Sequence, residues 1–486
     1  MGRFLKRYLK GFSCPPQVVG TYSRYSVLHD QSGALAVRTS GLGILLLMLS
    51  LSAAIAFGIT ASQPGIAIKA SVVVAILVTA FLSTEIALYI LILSMLLSPE
   101  FIVGDLQGSA ALGRGITIRL DDILLILIGL GWLAKTAIHK ELGLFLKTTL
   151  NKPILLYVVA VSISTTLGIL FGRVDPLTGF FFALKYFEYF FVYFMLVNTI
   201  TGAAQVKRYA FLALVTSLLV TLYAAAQIPG GGRVTAPFEG AVGEPNTLGG
   251  YLVFMICIVG GLFFTLESPK IKIPLAGLAF LFIVTILATQ SRASYLALIV
   301  AYLAFLYVSR KNVPVLAFLS LLLVVSPFVL PSSTLDRIAY TVSQPKVVGQ
   351  AQVFDVRLDT STSARIRNWE QALADFRNNP ITGYGVTGYK FIDAQYPRVL
   401  IDTGLLGLGA FLFLLYRLGE QAYLIYRNAE DPYLKGMALG LGIGFLGLLV
   451  HAVGANTFII VRIMEPFWLF VGLVVGYSRL EKRASS

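Results

Sequence analysis

The 486-residue chain is poor in cysteine, histidine and charge. Its two cysteines, Cys14 and Cys257, stand far apart with no CxxC pair, so neither a disulfide framework nor a zinc site is indicated. The three histidines, His29, His139 and His451, are too few and too scattered for a histidine-based metal cluster. Charged residues make up 13% of the chain, about half the ~25% of a soluble globular domain. So little charge over this length excludes a soluble fold and puts most of the surface against lipid. No heptad array or internal repeat is visible. The first 38 residues are polar and basic with no apolar core, so they are not expected to act as a signal peptide.

What the chain has instead is hydrophobic length. Hydrophobic residues make up 57% of it, and the mean hydropathy is +0.81. Apolar runs long enough to cross a bilayer recur from residue 41 onward. Fourteen are expected, near 41–59, 66–82, 84–98, 121–135, 153–171, 180–199, 209–227, 247–266, 274–289, 293–308, 314–330, 399–416, 437–453 and 460–477. The pattern predicts an all-α polytopic membrane protein. Its parts are a basic arm (1–40), eleven spans (41–330), one large outer loop (331–398), three further spans (399–477) and a short tail (478–486).

The net charge of +14 bears on orientation. In a soluble protein it would suggest nucleic acid; here the question is which face carries it. With an even number of spans and both termini in the cytosol, 22 of the 38 basic residues fall on the cytosolic side. Half of the remaining 16 lie in the loop 331–398, which is too long to count under the positive-inside rule. The excess is therefore a topology signal, and no nucleic-acid partner is expected.

Arginine on the outer side is the main chemical signal: Arg173, Arg233, Arg292, Arg365, Arg367 and Arg398. Arg292 lies in the tight turn TQSRAS (289–294), with no long loop to escape into. An ionisable group at a membrane margin is costly unless paired or functional. Guanidinium grips a phosphate or diphosphate through two oxygens. Arg292, Arg233, Arg365 and Arg367 are therefore anion-binding candidates, the alternative being interfacial snorkelling.

Other candidates flank these. Lys185 and Glu188 share one helical face in ALKYFEYFF, either as a structural ion pair or as lipid or acceptor contacts. Asn246 in Glu244-Pro245-Asn246 either caps the helix it opens or contacts a substrate. Asp393 and Tyr396 precede the helix that follows the loop, and Asp402 lies near its start. Asp393 can accept a proton from a hydroxyl or form a salt bridge with Arg398. His451, the only histidine expected on the outer side, is a second candidate base or a hydrogen-bonded helix-end group. Within the loop, 363–378 reads as an amphipathic helix with Ile366, Trp369, Leu373 and Phe376 on one face and Trp369 at the membrane interface. The stretch Gly383–Gly388 matches GxGxxG but follows Asn-Asn-Pro rather than a strand, so it reads as a tight turn.

Four stretches together resemble the O-antigen ligase and polymerase superfamily: GEPNTLGGYL, TQSRASYLAL, RIRNWEQALADFRNNPITGYG and YPRVLIDTGLLGLGAF, covering roughly residues 240–410. These are polytopic bacterial glycosyltransferases acting on undecaprenyl-diphosphate-linked glycans. The resemblance implies a GT-C-like fold in the inner membrane, no metal and no cofactor, and a site at the outer face beneath the large loop. It implies arginines that hold the donor diphosphate, which fall on Arg292, Arg233 and Arg365, with Arg367 beside them. Ligase members carry a histidine before the loop-terminal helix, where this chain has Asp393. That departure favours a repeat-unit polymerase of O-antigen or exopolysaccharide type, with a ligase as the alternative. Asp393 would be the base and His451 its reserve, with inversion at the anomeric carbon. Lys185, Glu188, Asn246, Tyr396 and Arg398 would contact acceptor or lipid. The expected partners are the lipid-linked oligosaccharide, a glycan or lipid A-core acceptor, membrane lipids and a chain-length regulator. A transporter or flippase for lipid-linked saccharides is the alternative from another class, but it would show repeated halves and broken helices near the midplane.

Overall fold

A computed structural model describes residues 83–98, 100–103, 116–138, 147–237, 239, 243–308, 320–321, 324, 352–353, 356–357 and 360–485. The expected spans at 41–59 and 66–82, nearly all of that at 314–330, the N-terminal arm, Cys14, His29, His139 and most of the loop before residue 360 lie outside the described residues. The chain divides into two compact units, Met1–Ser83 and Thr84–Ser486. The second is described below.

Its helices are α1 (Thr84–Leu97), α2 (Leu120–Ile138), α3 (Asn151–Leu170), α4 (Pro176–Thr199), α5 (Ala203–Ala225), α6 (Pro245–Thr265), α7 (Pro269–Ala288), α8 (Arg292–Val308), α9 (Thr360–Phe376), α10 (Gln395–Asn428), α11 (Pro432–Gly454) and α12 (Val461–Ser485). Among the described residues, eight helices are long and apolar enough to cross a membrane: α3 to α7 and α10 to α12. Two shorter apolar helices, α1 and α8, accompany them. The all-α fold class holds among the described residues, with one local addition. Two short antiparallel pairs are present, β1 (Glu100–Val103) with β2 (Ile116–Arg119), and β3 (Gln352–Val353) with β4 (Val356–Arg357). Each lies in a connection, where paired strands satisfy backbone groups that no helix serves.

Local sequence explains where the helices begin. Proline occupies the first turn of α4, α6, α7 and α11, where its missing N–H costs no hydrogen bond. Asp175 caps α4 by accepting from Thr178 N–H at 2.8 Å, and Asp431 caps α11 by accepting from Tyr433 and Leu434 N–H at 2.8 and 2.9 Å.

The centre of the unit is α6, buried at every position from Thr247 to Leu262. A helix apolar all round belongs in the middle of a bundle. It packs on α11 through small residues, as membrane helices do. A Cβ on Gly261 would lie 2.2 Å from the Gly436 carbonyl oxygen, and one on Gly440 would lie 2.5 Å from that of Cys257. Cys257 itself is a buried free thiol at this contact.

The helix after the loop, α10, is broken near its start. Gly404 has φ +66°, a left-handed conformation open mainly to glycine. The break frees carbonyls to hold the incoming loop. Tyr384 N–H bonds to Ile401 O at 3.0 Å and Gly385 N–H to Asp402 O at 2.8 Å. Leu405 and Leu406 N–H bond back to Pro380 and Ile381 at 2.9 and 3.1 Å. The other side of this loop lies on α3, where Ser164 Oγ donates to Thr382 O and a Cβ on Gly168 would meet Tyr384 O at 2.6 Å. Gly383 and Gly385 both have positive φ, and the stretch forms turns between α9 and α10. The tight-turn reading of the GxGxxG match therefore holds, and its glycines serve close packing.

The amphipathic helix is present as α9, but its inward face differs from the expected one. Ala372 is buried with Ile392 and Ile401, and Trp369, Phe376, Tyr384 and Tyr389 pack against this cluster. Leu373, expected on the same face, is 53% exposed. Trp369 thus closes a small loop core, because residues later in the loop and Ile401 of α10 supply the surface that α9 covers.

Candidate functional site

The turn between α7 and α8, the strap (226–237, 239 and 243–244), the loop 377–394, the α11–α12 connection and the α3–α4 turn all meet at one end of the bundle, here called the loop end. Arg173 Nη1 donates to Asn379 Oδ1 at 2.7 Å, Asn456 Nδ2 to Ile392 O at 2.8 Å, and Phe458 N–H to Gln395 Oε1 at 2.9 Å. Arg462, buried in the first turn of α12, donates to the carbonyls of Leu96, Pro237 and Ser98. The first turn of α12 and the residues just before it are thus a hub that holds both the strap and the loop.

Within this end, two sequence candidates come together. Arg233 on the strap donates from Nε to Thr289 O at 3.0 Å and from Nη2 to Asn246 Oδ1 at 3.2 Å. Asn246 is not the cap of α6. Glu244 holds that position and its carboxylate accepts from Thr247 Oγ1 at 2.9 Å, leaving Asn246 to meet Arg233. Thr289 begins the segment that leads to Arg292, the exposed first residue of α8. Ser291 starts this helix by accepting from Ser294 N–H at 3.3 Å. Gly249 on α6 allows the close approach, since a Cβ there would lie 2.2 Å from Ser294 Oγ. Gln290 between them has φ +52°, and both its amide atoms are buried without a hydrogen-bond partner. Left-handed backbone in a non-glycine residue is strain of the kind that gathers at functional sites. Sequence reading missed Gln290, because neither its backbone angle nor its pairing is written in its neighbours.

His451 stands in the last turn of α11, fully buried, with Nδ1 2.7 Å from Thr457 Oγ1. Its ring packs beside Gly250 of α6, where a Cβ would lie 2.9 Å from Cε1. The helix-end, hydrogen-bonded reading describes this geometry.

A second group lies on the loop. Arg365 of α9 forks onto Asp393, with Nη2 2.7 Å and Nε 3.2 Å from Oδ2. The salt bridge expected between Asp393 and Arg398 is therefore replaced: Arg398 pairs with Asp402 one turn along α10, at 3.3 Å. The reason is helical geometry, which puts residues four apart on one face. Arg398 is buried and lies over the Phe391 ring, so it ties the loop to α10 from inside. Tyr396 donates to Leu449 O at 2.8 Å. Arg367 is exposed on α9.

Lys185 and Glu188 do pair, at 3.6 Å, and Lys185 also bonds to Asp122. They belong to a larger buried set with Arg119, Asp121 and Glu465 that sequence reading did not assemble. Its members come from β2, α2, α4 and α12, and only the packing of those elements makes them neighbours. Among the described residues, no group of three or more His, Cys, Asp or Glu side chains is placed to hold a metal ion.

The strap carries one titratable switch. Glu239 is 8% exposed and accepts from Ala236 and Glu244 N–H at 3.2 and 2.9 Å. Burial pushes its carboxyl up to about 7. The folded form then holds a proton that the unfolded chain has lost, so stability falls as pH rises from the ordinary carboxyl range through about 7. Glu239→Gln keeps the acceptor and removes the charge. It is expected to raise the melting temperature at pH ~8 and to leave it unchanged at pH ~4, below both titrations. Parallel melting curves at the two pH values would contradict this.

The fold and this end of the bundle define a polytopic helical membrane protein with a polar, arginine-bearing face. Residues 277–412 match the family model described as O-Antigen ligase, a segment that contains Arg292, α9 and the broken start of α10. The resemblance to the O-antigen ligase and polymerase superfamily holds over that segment. No curated protein matches the chain.

Proposed function

We propose that this protein is a membrane glycosyltransferase that transfers or polymerises a glycan carried on undecaprenyl diphosphate, at the outer face of the bacterial inner membrane. One observation carries the reading. The O-antigen ligase match contains Arg292, on a turn whose Thr289 carbonyl holds Arg233 from the strap. Two guanidinium groups at one membrane margin suit a diphosphate.

In this reading, Arg292 and Arg233 hold the donor diphosphate and stabilise the charge it gains as the leaving group. Arg365 orients Asp393, and Asp393 removes the proton from the acceptor hydroxyl. Arg367 lies on the same helix and meets the incoming anion. Direct displacement inverts the anomeric carbon and needs no metal. A groove of about 590 Å³ runs along α10 and α11 from Tyr396 past Leu412, Tyr416 and Tyr423, and it suits an isoprenoid chain. The fold is GT-C-like with fourteen spans, both termini are cytosolic, and the loop end faces outward.

Asp393 in place of a histidine favours a repeat-unit polymerase, and the family description favours a ligase as the second reading. The test is incubation of the purified protein with lipid-linked repeat units. A product ladder without added acceptor means polymerase. Product only after lipid A-core is supplied means ligase. No new glycosidic bond under either condition defeats the proposal, and movement of unchanged lipid across the bilayer would point to a transporter.

A further inference from the structure

Six ionisable side chains meet inside the bundle, outside the matched segment. Arg119 Nη2 lies 2.6 Å from Asp121 Oδ2, 3.7 Å from Asp122 Oδ1 and 3.8 Å from Glu465 Oε2. Lys185 pairs with Asp122 and Glu188. Four carboxylates therefore face two cations. Arg462 lies one turn before Glu465 on α12, where the carbonyls of Leu96, Pro237 and Ser98 take its hydrogen bonds, and Glu239 lies on the strap. Counting Arg462 with the two cations, the four carboxylates of the cluster still outnumber them.

Glu465 is the decisive member. Its side chain is fully buried, and neither carboxylate oxygen receives a hydrogen bond. Arg119 at 3.8 Å is too far to donate one. A bare carboxylate in a low-dielectric interior is strongly disfavoured. Asp121 is better served, accepting from Ser98 Oγ at 2.6 Å on Oδ1 with Arg119 at Oδ2. The carboxyls of Glu465 and Asp121 converge on one nitrogen, Arg119 Nη2, at 3.8 and 2.6 Å. Two carboxylates that close repel each other unless a proton sits between them.

We infer that Glu465 and Asp121 share one proton, forming a proton-binding site within the membrane bundle. Glu465 donates and Asp121 accepts, and the proton neutralises part of the carboxylate excess. The site anchors the first turn of α12, from which Arg462 holds the strap, with Phe458 just before it holding the loop helix α10. Loss of the proton charges Glu465 and loosens that hub. The inference concerns proton occupancy and stands whether or not the protein transfers glycans.

The test uses the full-length protein in lipid nanodiscs. Infrared spectra at neutral pH are expected to show a carbonyl band of a protonated carboxylic acid that shifts in D₂O and weakens in Glu465→Gln. Thermal unfolding is followed from pH ~5 to pH ~10. The neutral acid stabilises the fold, so wild-type stability is fullest at low pH and declines as pH rises. Glu465→Gln donates an amide N–H to Asp121 at every pH, so its curve is expected to be flatter and to cross above wild type at alkaline pH. Glu465→Ala is expected to melt lower throughout. A band unchanged by Glu465→Gln, or parallel curves for Glu465→Gln and wild type, overturns the inference. If Glu465→Gln fails to fold, the spectrum of Glu239→Gln, which lacks the protonated strap carboxyl, decides: a remaining band at neutral pH supports the inference and its absence overturns it.

Discussion

Arg292→Ala is expected to reduce glycan transfer by on the order of 10²–10³-fold while the protein still folds and inserts. The magnitude is that of removing one preorganised group that stabilises charge in a transition state. Arg292 is exposed at the first residue of α8, whose start is set by Ser291 rather than by the arginine. Loss of the side chain therefore removes the proposed phosphate ligand without opening the core. Arg292→Lys should retain an intermediate rate, because ammonium keeps the charge but not the planar two-point grip. The measurement is product formation from lipid-linked repeat units, with the melting temperature recorded alongside. Wild-type product levels from Arg292→Ala would defeat the site assignment. A large fall in melting temperature would mean that the arginine is structural.

Gly404→Ala is the second large effect, expected to abolish activity by releasing the loop while the other helices stay packed. The substitution meets two obstacles at once. At φ +66° a side chain is strained by about 1–3 kcal/mol. The new Cβ would also lie 2.3 Å from the Ile381 carbonyl oxygen, a backbone atom that cannot turn aside. Relief requires the loop to leave α10, which breaks the hydrogen bonds from Tyr384, Gly385, Leu405 and Leu406. Asp393 and its partner Arg365 then lose their fixed place. Hydrogen exchange over residues 380–388 should quicken, with little change in α6 and α11. Unchanged exchange together with normal product would show that the break at Gly404 is not what seats the loop.

Much of this was legible in the sequence, for reasons that differ by element. Apolar runs at 153–171, 247–266 and 437–453 became α3, α6 and α11 because a span in lipid must satisfy its own backbone, and only helix does so within one segment. Their ends were less legible. α11 begins at Pro432, earlier than expected, because Asp431 and Pro432 start a helix in polar surroundings that hydropathy does not register. Arg292 stood out because a charge in a tight turn at a membrane margin needs an explanation from its neighbours alone. The pairing of Lys185 with Glu188 followed from helical spacing.

Other features had no local signature. Asn246 looked like a cap because it follows Glu-Pro at a helix start, yet it meets an arginine thirteen residues earlier. Asp393 was matched to the nearest arginine along the chain, while the fold offers it Arg365 from α9.

By itself, the sequence determined that this is a helical membrane protein, where eight of its expected spans run, and that arginine gathers near one set of turns. Those properties depend on composition and on periodicity within single segments, and water and lipid sort them without reference to tertiary contacts. Only the tertiary structure decided which arginine meets which partner, that Trp369 faces a loop core, and that Glu465 and Asp121 both face Arg119. Those depend on how helices far apart in the chain approach one another, and a Coulomb or hydrogen-bond interaction acts only across the few ångströms that packing sets.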